Sequence, residues 1–155
     1  DRIAVMDQGR ILQIGTPVDI YERPASRFIA EFIGESNLLN CNVLSVDGPV
    51  CSIAIGSKRV TGRLTQNNSV LAGQAIALLV RPEMIRLHAL EPYEQPKLRG
   101  TVREIIYQGS VVRYRIKVED QELIVEVANR PDLPRLDLDD EANIFWNADS
   151  GVVMP

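Results

Sequence analysis

Val111-Val112-Arg113-Tyr114-Arg115-Ile116-Lys117-Val118 and Glu122-Leu123-Ile124-Val125-Glu126-Val127-Ala128 decide the fold class. In the first run Val112, Tyr114, Ile116 and Val118 alternate with Arg113, Arg115 and Lys117, the period of two that marks a half-buried strand. In the second, Leu123, Val125 and Val127 alternate with Glu122, Ile124 and Glu126. A two-residue turn, at Glu119-Asp120 or at Asp120-Gln121, joins the apolar sets on one face and sets glutamates opposite basic residues on the other. A three-residue turn would place Tyr114 against Glu126 and cost burial along the whole ladder. The sequence therefore specifies a hairpin in one parity, with its basic row neutralised locally.

Outward from this hairpin the same grammar continues. Short β-branched runs broken by turn residues occupy 38–46, 50–55, 58–64, 75–81, 85–89, 99–107, 111–118, 122–128, 143–147 and 151–154, the pattern of a barrel or sandwich. Asp47-Gly48-Pro49, Gly56-Ser57 and Gln66-Asn67-Asn68-Ser69 mark turns between the earlier strands. Glu91 to Lys97, with Pro92 and Pro96, is excluded from a central strand and reads as a linker dividing the β region into two comparable halves. Each half runs to an apolar strand and a short closing strand, Ala77–Arg81 then Ile85–Leu87, and Ile144–Trp146 then Val152–Met154, a weak internal repeat.

The first 36 residues read differently. Ile3-Ala4-Val5-Met6 and Ile11-Leu12-Gln13-Ile14 flank Asp7-Gln8-Gly9-Arg10, where Gly9 supplies the positive φ of a short hairpin turn. Thr16-Pro17-Val18-Asp19 pairs a capping hydroxyl with Pro at the first helical position and an acid three residues after the cap, which predicts a helix ending at Pro24. A second helix is expected from Pro24, with Phe28, Ile29, Phe32 and Ile33 on one stripe and Gly34 as a left-handed stop. That stripe has to pack on something.

The 155 residues, 45% apolar and 25% charged, suffice for one domain with a substantial core or two small ones. No run of about 18 apolar residues and no basic-then-apolar leader occurs, so a cytoplasmic chain is expected. It opens at Asp1 and enters an apolar segment at once, which suggests a piece of a longer protein. A net charge of −4 lacks the basic footprint that phosphate backbones demand, so nucleic acid is not an expected partner. Cys41 and Cys51 read as buried reduced thiols.

Catalytic constellations are missing. His88 is the single histidine and reads as structural, in a strand beside Leu87 and Ala89; neither cysteine has a second ligand at metal spacing, so neither metal nor cofactor is assigned. Gly56-Ser57-Lys58-Arg59 lacks the upstream Gly and following Ser or Thr of a phosphate loop. Asp137, Asp139, Asp140 and Glu141 lack the Gly and distal Glu of a calcium loop and read as solvated. Asn67-Asn68-Ser69 would matter as a glycosylation acceptor only in a secreted chain. Trp146 reads as core, with an indole N–H that wants a partner. Arg81-Pro82-Glu83 is the most distinctive polar group: Pro82 bends the chain after an apolar strand, leaving Arg81 and Glu83 flanking a tight corner, where they are the candidate regulatory or contact residues, able to pair or to bind a ligand.

These segments together resemble one family. Asp1-Arg2-Ile3-Ala4-Val5-Met6-Asp7-Gln8-Gly9-Arg10-Ile11 with Gly15-Thr16-Pro17, Ile20-Tyr21 and Pro24 is similar to the end of the ATP-binding domain of ABC importers, just after the switch histidine. Phe28-Ile29-Ala30-Glu31-Phe32-Ile33-Gly34-Glu35-Ser36-Asn37 resembles the exit helix into their regulatory domain. Val80-Arg81-Pro82-Glu83 with Ile85, and Gly100-Thr101-Val102 through Gly109-Ser110 to Tyr114, resemble the transport-associated OB-type domain, TOBE. The resemblance implies a mainly β fold, an OB-type barrel or sandwich preceded by a β-hairpin and two short helices. It divides the chain at 1–36, the end of the ATP-binding domain, and 37–155, the regulatory domain.

It further implies a regulatory and dimerising role in a subunit most like those of spermidine/putrescine importers, peripheral on the cytoplasmic side of the inner membrane. The implied partners are a second copy and the permease subunits. The phosphate loop, signature loop, catalytic glutamate and switch histidine would precede Asp1, so ATP and Mg belong to the longer parent and the chain alone is not expected to be an enzyme. Relatives of this type often carry Gly-Asp where this chain has Leu136-Asp137-Leu138-Asp139-Asp140. The alternatives are a small-oxyanion-binding OB-type domain and a single-stranded nucleic-acid binder. The latter is disfavoured because aromatics are 5% of residues and glutamates face Arg113, Arg115 and Lys117.

Overall fold

The computed structural model describes residues 1–65 and 69–155. Most of the expected turn at Gln66-Asn67-Asn68-Ser69, and with it Asn67-Asn68, lies outside the described residues. β1 (Ile3–Asp7) and β2 (Arg10–Gly15) form the first hairpin, turning through Gln8 (φ 46°) and Gly9 (φ 76°). Two successive positive φ values match the right-handed twist of the strands they join. Thr16 caps α1 (Pro17–Glu22) in a capping box: Asp19 N donates to Thr16 Oγ1 at 3.2 Å, and Thr16 N donates to Asp19 Oδ2 at 3.2 Å. The Thr16 hydroxyl, donating to Asp19 Oδ2 at 2.6 Å, and after it the bond from Thr16 N hold the Asp19 carboxyl below its usual range.

α2 spans Arg27–Ile33, starting three residues after Pro24 because Ser26 is its cap, its Oγ accepting from Ile29 N at 3.3 Å. Gly34 is not a left-handed stop: its φ of 179° is extended backbone, and the carbonyls at this helix end find another donor, described below. The stripe is only half used. Ile29 and Ala30 are buried, whereas Phe28 and Phe32 stack on each other, 5.9 Å between centroids, and stay 45% and 67% exposed.

β3 (Asn37–Asp47), β4 (Val50–Ile55), β5 (Lys58–Leu64) and β6 (Ala75–Val80) form a barrel that closes only with the last strand, β11 (Val152–Met154). β11 runs antiparallel to β6 and parallel to β5. Leu39, Cys41, Val43, Cys51, Ile53, Ile55, Ile76, Leu78, Val80 and Val153 fill the interior. On the other side of β6 and β11, Ala77, Leu79, Val152 and Met154 pack against Ala30 of α2 and Leu38. β6 is thus buried on both faces, which is why it is an unbroken apolar run rather than an alternating one. Both cysteines are free and buried, burial pushing the Cys41 thiol up to about 11 and Cys51 upward as well.

β7 (Leu98–Gln108), β8 (Val111–Val118), β9 (Gln121–Ala128) and β10 (Glu141–Ile144) make a four-stranded sheet ordered β10-β7-β8-β9. The β8–β9 register sets Tyr114 opposite Val125, Ile116 opposite Leu123 and Arg113 opposite Glu126, with Glu119-Asp120 as the two-residue turn. Two side-chain amides fasten β9 to the barrel. Asn37, buried, donates through Nδ2 to Ile124 O at 2.8 Å and accepts from Ile124 N at 2.7 Å; Gln121 makes the same two-way contact with the backbone of Asn40, at 3.0 and 2.6 Å. Each amide presents one donor and one acceptor as a neighbouring strand would.

Three expectations fail here. No strand spans 85–89: Pro82–Met84 is a 3₁₀ turn, and Arg86 makes only an isolated bridge with Phe145, so His88 is not in a strand. The strand expected at 143–147 ends at Ile144. The two halves are not a repeat, because the first lacks its closing strand and borrows β11 from the second. Trp146 is core, 1% exposed, but its Nε1 has no protein partner among the described residues. In the acidic loop, Asp139 takes φ 67°, a left-handed conformation that aspartate tolerates better than most residues.

Residues 91–97 are not a free linker. Arg86 grips Glu94 with both terminal nitrogens, at 2.7 and 3.1 Å, and Leu90 N donates to Glu94 Oε2 at 2.8 Å. The Arg86 bonds first, and that of Leu90 next, take the Glu94 carboxyl from its usual 4.5 to about 2. Its folded value lies below its unfolded one, so its stabilising contribution is complete above pH 4.5 and is lost as pH falls through 2. The melting-temperature gap between wild type and Glu94→Gln is expected to be widest near neutrality and to close over that window; a gap independent of pH contradicts this.

Candidate functional site

Arg81 follows β6 directly, at the end of a strand buried on both faces, and its side chain lies under the N-terminal helices. It is 4% exposed. The two hydrogens of Nη1 are shared among Ala30 O (2.9 Å), Gly34 O (3.0 Å), Glu35 O (3.1 Å) and the Ser36 hydroxyl, while Nη2 donates to Tyr21 O (3.0 Å). Ala30, Gly34 and Tyr21 lie at or just beyond the C-terminal ends of α1 and α2, where carbonyls lack intrahelical partners and the helix dipole is negative. One guanidinium therefore caps two helices. No carboxylate within ion-pair distance neutralises it among the described residues. Carbonyl dipoles and the face of Tyr21, 4.3 Å from the guanidinium carbon, take that role. Burial presses the Arg81 pKa down, yet arginine remains charged.

Glu83, on the far side of the Pro82 corner, accepts from the Tyr21 hydroxyl. Arg81 and Glu83 thus do not pair with each other; they hold Tyr21 from two sides. Burial first, then the bond to Glu83, pushes the Tyr21 phenol up to about 12. Gly34 allows the close approach, since a Cβ there would stand 3.3 Å from the Tyr21 ring and 3.6 Å from Arg81 Nη1.

The sheet grips the same segment. Arg113 donates to Glu35 and to Glu126 (2.8 Å), and Asn37 is locked to Ile124. The bond to Glu126 is the main cause holding the Arg113 pKa above its usual value. Residues 34–37 are consequently held from the barrel and the sheet together. Of this cluster, sequence reasoning singled out Arg81 and Glu83 but assigned no site role to Tyr21, Ser36, Asn37 or Arg113, because the partners lie 45 to 87 positions apart in the chain. Beside the cluster lies a small cleft of about 260 Å³, open to solvent and lined by Tyr21, Glu22, Met84, Asn147 and Asp149.

Residues 78–154 match the TOBE domain family. Over 100% of its length the chain is 39% identical to the spermidine/putrescine import ATP-binding protein PotA of Thermobifida fusca, covering 41% of that protein. Over 99% of its length it is 32% identical to the PotA of Treponema pallidum, covering 44% of it. The chain thus spans about two fifths of the length of these curated relatives. Among solved structures it is similar to a cytoplasmic molybdate-binding protein, ModG, crystallised with molybdate bound: TM-score 0.61 and 13% identity, over 86% of this chain and 99% of that one. At that identity the likeness concerns the fold alone, and it agrees with the barrel expected from the strand pattern. No helix among the described residues is long and apolar enough to cross a membrane.

Proposed function

The chain belongs, through residues 78–154, to the TOBE domain family and is a relative along its whole length of spermidine/putrescine import ATP-binding proteins; from that premise we propose that it is the regulatory, dimerising part of such a subunit. The observation that carries this reading is that the match extends over the whole length of the chain, through the hairpin, both helices and the barrel. In this reading residues 1–36 complete the ATP-binding domain and residues 37–155 form the regulatory domain. The exposed Ile3, Met6, Ile11, Leu12, Ile14, Phe28 and Phe32 support the division, as apolar surface that the remainder of an ATP-binding domain would cover.

ATP and Mg are bound elsewhere in the subunit, and this chain contributes no catalytic group. Its partners are a second copy and, through the subunit, the permease on the cytoplasmic face of the membrane; nucleic acid is not among them. Against independent oxyanion binding stands the burial of Arg81, both of whose terminal nitrogens already donate to protein oxygens.

The test is uptake. The complete subunit, reconstituted with its permease and binding protein, is expected to drive ATP-dependent import of spermidine or putrescine; ATP-dependent import of an unrelated solute with neither polyamine transported overturns the reading. Light scattering of the chain at high concentration is expected to give a dimer mass, and a strictly monomeric mass would remove the dimerising role.

A further inference from the structure

We infer that Arg81 is a coupling residue: it makes the order of α1 and α2 conditional on the state of the barrel, so that the two parts respond as one unit. It deepens the reading above, since there it names the joint between the ATP-binding and regulatory parts.

The grounds are geometric. α1 and α2 have six and seven residues, far below the length at which a helix persists alone in water. They have little core of their own, a cluster of Val5, Ile20 and Ile29 with Ala25 and Ile33 against it. Their order therefore depends on what they rest on. α2 rests through Ala30 on the outer face of β6 and β11, and both helix ends terminate on one side chain that leaves the end of β6. Any shift of β6 along or out of the barrel moves Arg81, and with it the caps of both helices together. Tyr21 repeats the link through Glu83, two residues further along the same corner.

The fork of the guanidinium is what allows this. Nη1 serves α2 and the exit segment, Nη2 serves α1, and a lysine ammonium has one nitrogen and cannot reach both ends. Arg81→Lys should thus keep one helix capped and release the other, a split that simple loss of packing would not produce.

The experiment is hydrogen exchange of the intact chain by mass spectrometry, reading residues 18–33 separately from β3 to β5, in wild type, Arg81→Met, Arg81→Lys, and each combined with Ile53→Ala as a disturbance inside the barrel. In wild type, Ile53→Ala is expected to speed exchange in the barrel and in residues 18–33 in step. In Arg81→Met, residues 18–33 should exchange at least ~10-fold faster than in wild type while β3 to β5 change by less than ~3-fold, and adding Ile53→Ala should move residues 18–33 several-fold less than it does when Arg81 is present. Arg81→Lys should release one helix selectively.

Unaltered protection of residues 18–33 in Arg81→Met, or an equal response to Ile53→Ala with and without Arg81, overturns the inference. Should Arg81→Met fail to fold, Arg81→Lys decides: selective release of one helix supports coupling, and equal behaviour of the two refutes it. Failure here leaves the importer assignment standing, and failure of polyamine uptake leaves this result standing, because the exchange readout needs neither ATP nor permease.

Discussion

A chain stopped after Gly151 is expected to lose its cooperative unfolding transition and to expose apolar surface. Only β11 and the final proline are removed, yet Val152, Val153 and Met154 are all buried, and each such side chain is worth about 1.5–3 kcal/mol of burial. The larger consequence is topological. β11 is the strand between β5 and β6, so its loss opens the barrel, leaves two strand edges unpaired and uncovers Leu78 inside and Ala30 outside. Against a net stability of about 5–15 kcal/mol for a domain, that sum is decisive. Thermal unfolding followed by circular dichroism, with a dye that reports exposed apolar surface, measures it; a sharp transition within about 5 °C of the wild type would show that the barrel closes without β11.

Gly100→Ala is expected to destabilise by about 3 kcal/mol, the upper end of what one inserted methyl costs in a packed interior. The added Cβ would lie 2.5 Å from the Lys117 carbonyl oxygen, 2.7 Å from Ile116 Cγ2 and 2.8 Å from Val118 Cγ2. Side-chain methyls can turn away, but the carbonyl belongs to β8, and moving it parts the ladder that joins Thr101 to Lys117. Trimming Val118 to alanine in the same chain should therefore fail to restore stability. Denaturant titration gives the difference directly; a change under 0.5 kcal/mol would mean that β7 and β8 separate more easily than their register implies.

This glycine illustrates how far the sequence could be read. Gly100-Thr101-Val102 is legible as a family resemblance, but the reason for a glycine is a carbonyl seventeen positions away. The β8–β9 hairpin is legible in its parity, because alternation fixes a face and a face fixes parity; the structure takes the Glu119-Asp120 turn of the two that fit, and so sets Arg113 opposite Glu126. The capping box at Thr16 and the turn at Gly9 are legible for the same reason, being complete within four residues.

The errors are equally local in origin. Gly34 reads as a left-handed stop because glycine after a helix often is one; here Arg81 supplies the donor, and an extended Gly34 serves close approach instead. Residues 85–89 read as a strand because Ile85, Leu87 and Ala89 alternate with Arg86 and His88, but Pro82 commits the corner to a 3₁₀ turn and only Arg86 reaches a partner.

Arg81-Pro82-Glu83 stands out in the sequence as a charged pair around a rigid corner, and its chemistry was open: pair, ligand site or contact. By itself the sequence determined the mainly β class, the strand periodicities, the helix caps and the family resemblance, all of which rest on neighbours a few residues apart. Only the tertiary structure decided that β11 closes the barrel of the other half, that Asn37 and Gln121 stitch β3 to β9, and that Arg81 ends under two helices with Tyr21 held between it and Glu83. The physical reason is that the terminal nitrogens of a buried guanidinium bond whichever oxygens the fold brings to them, and those oxygens belong to residues 45 to 60 positions earlier in the chain.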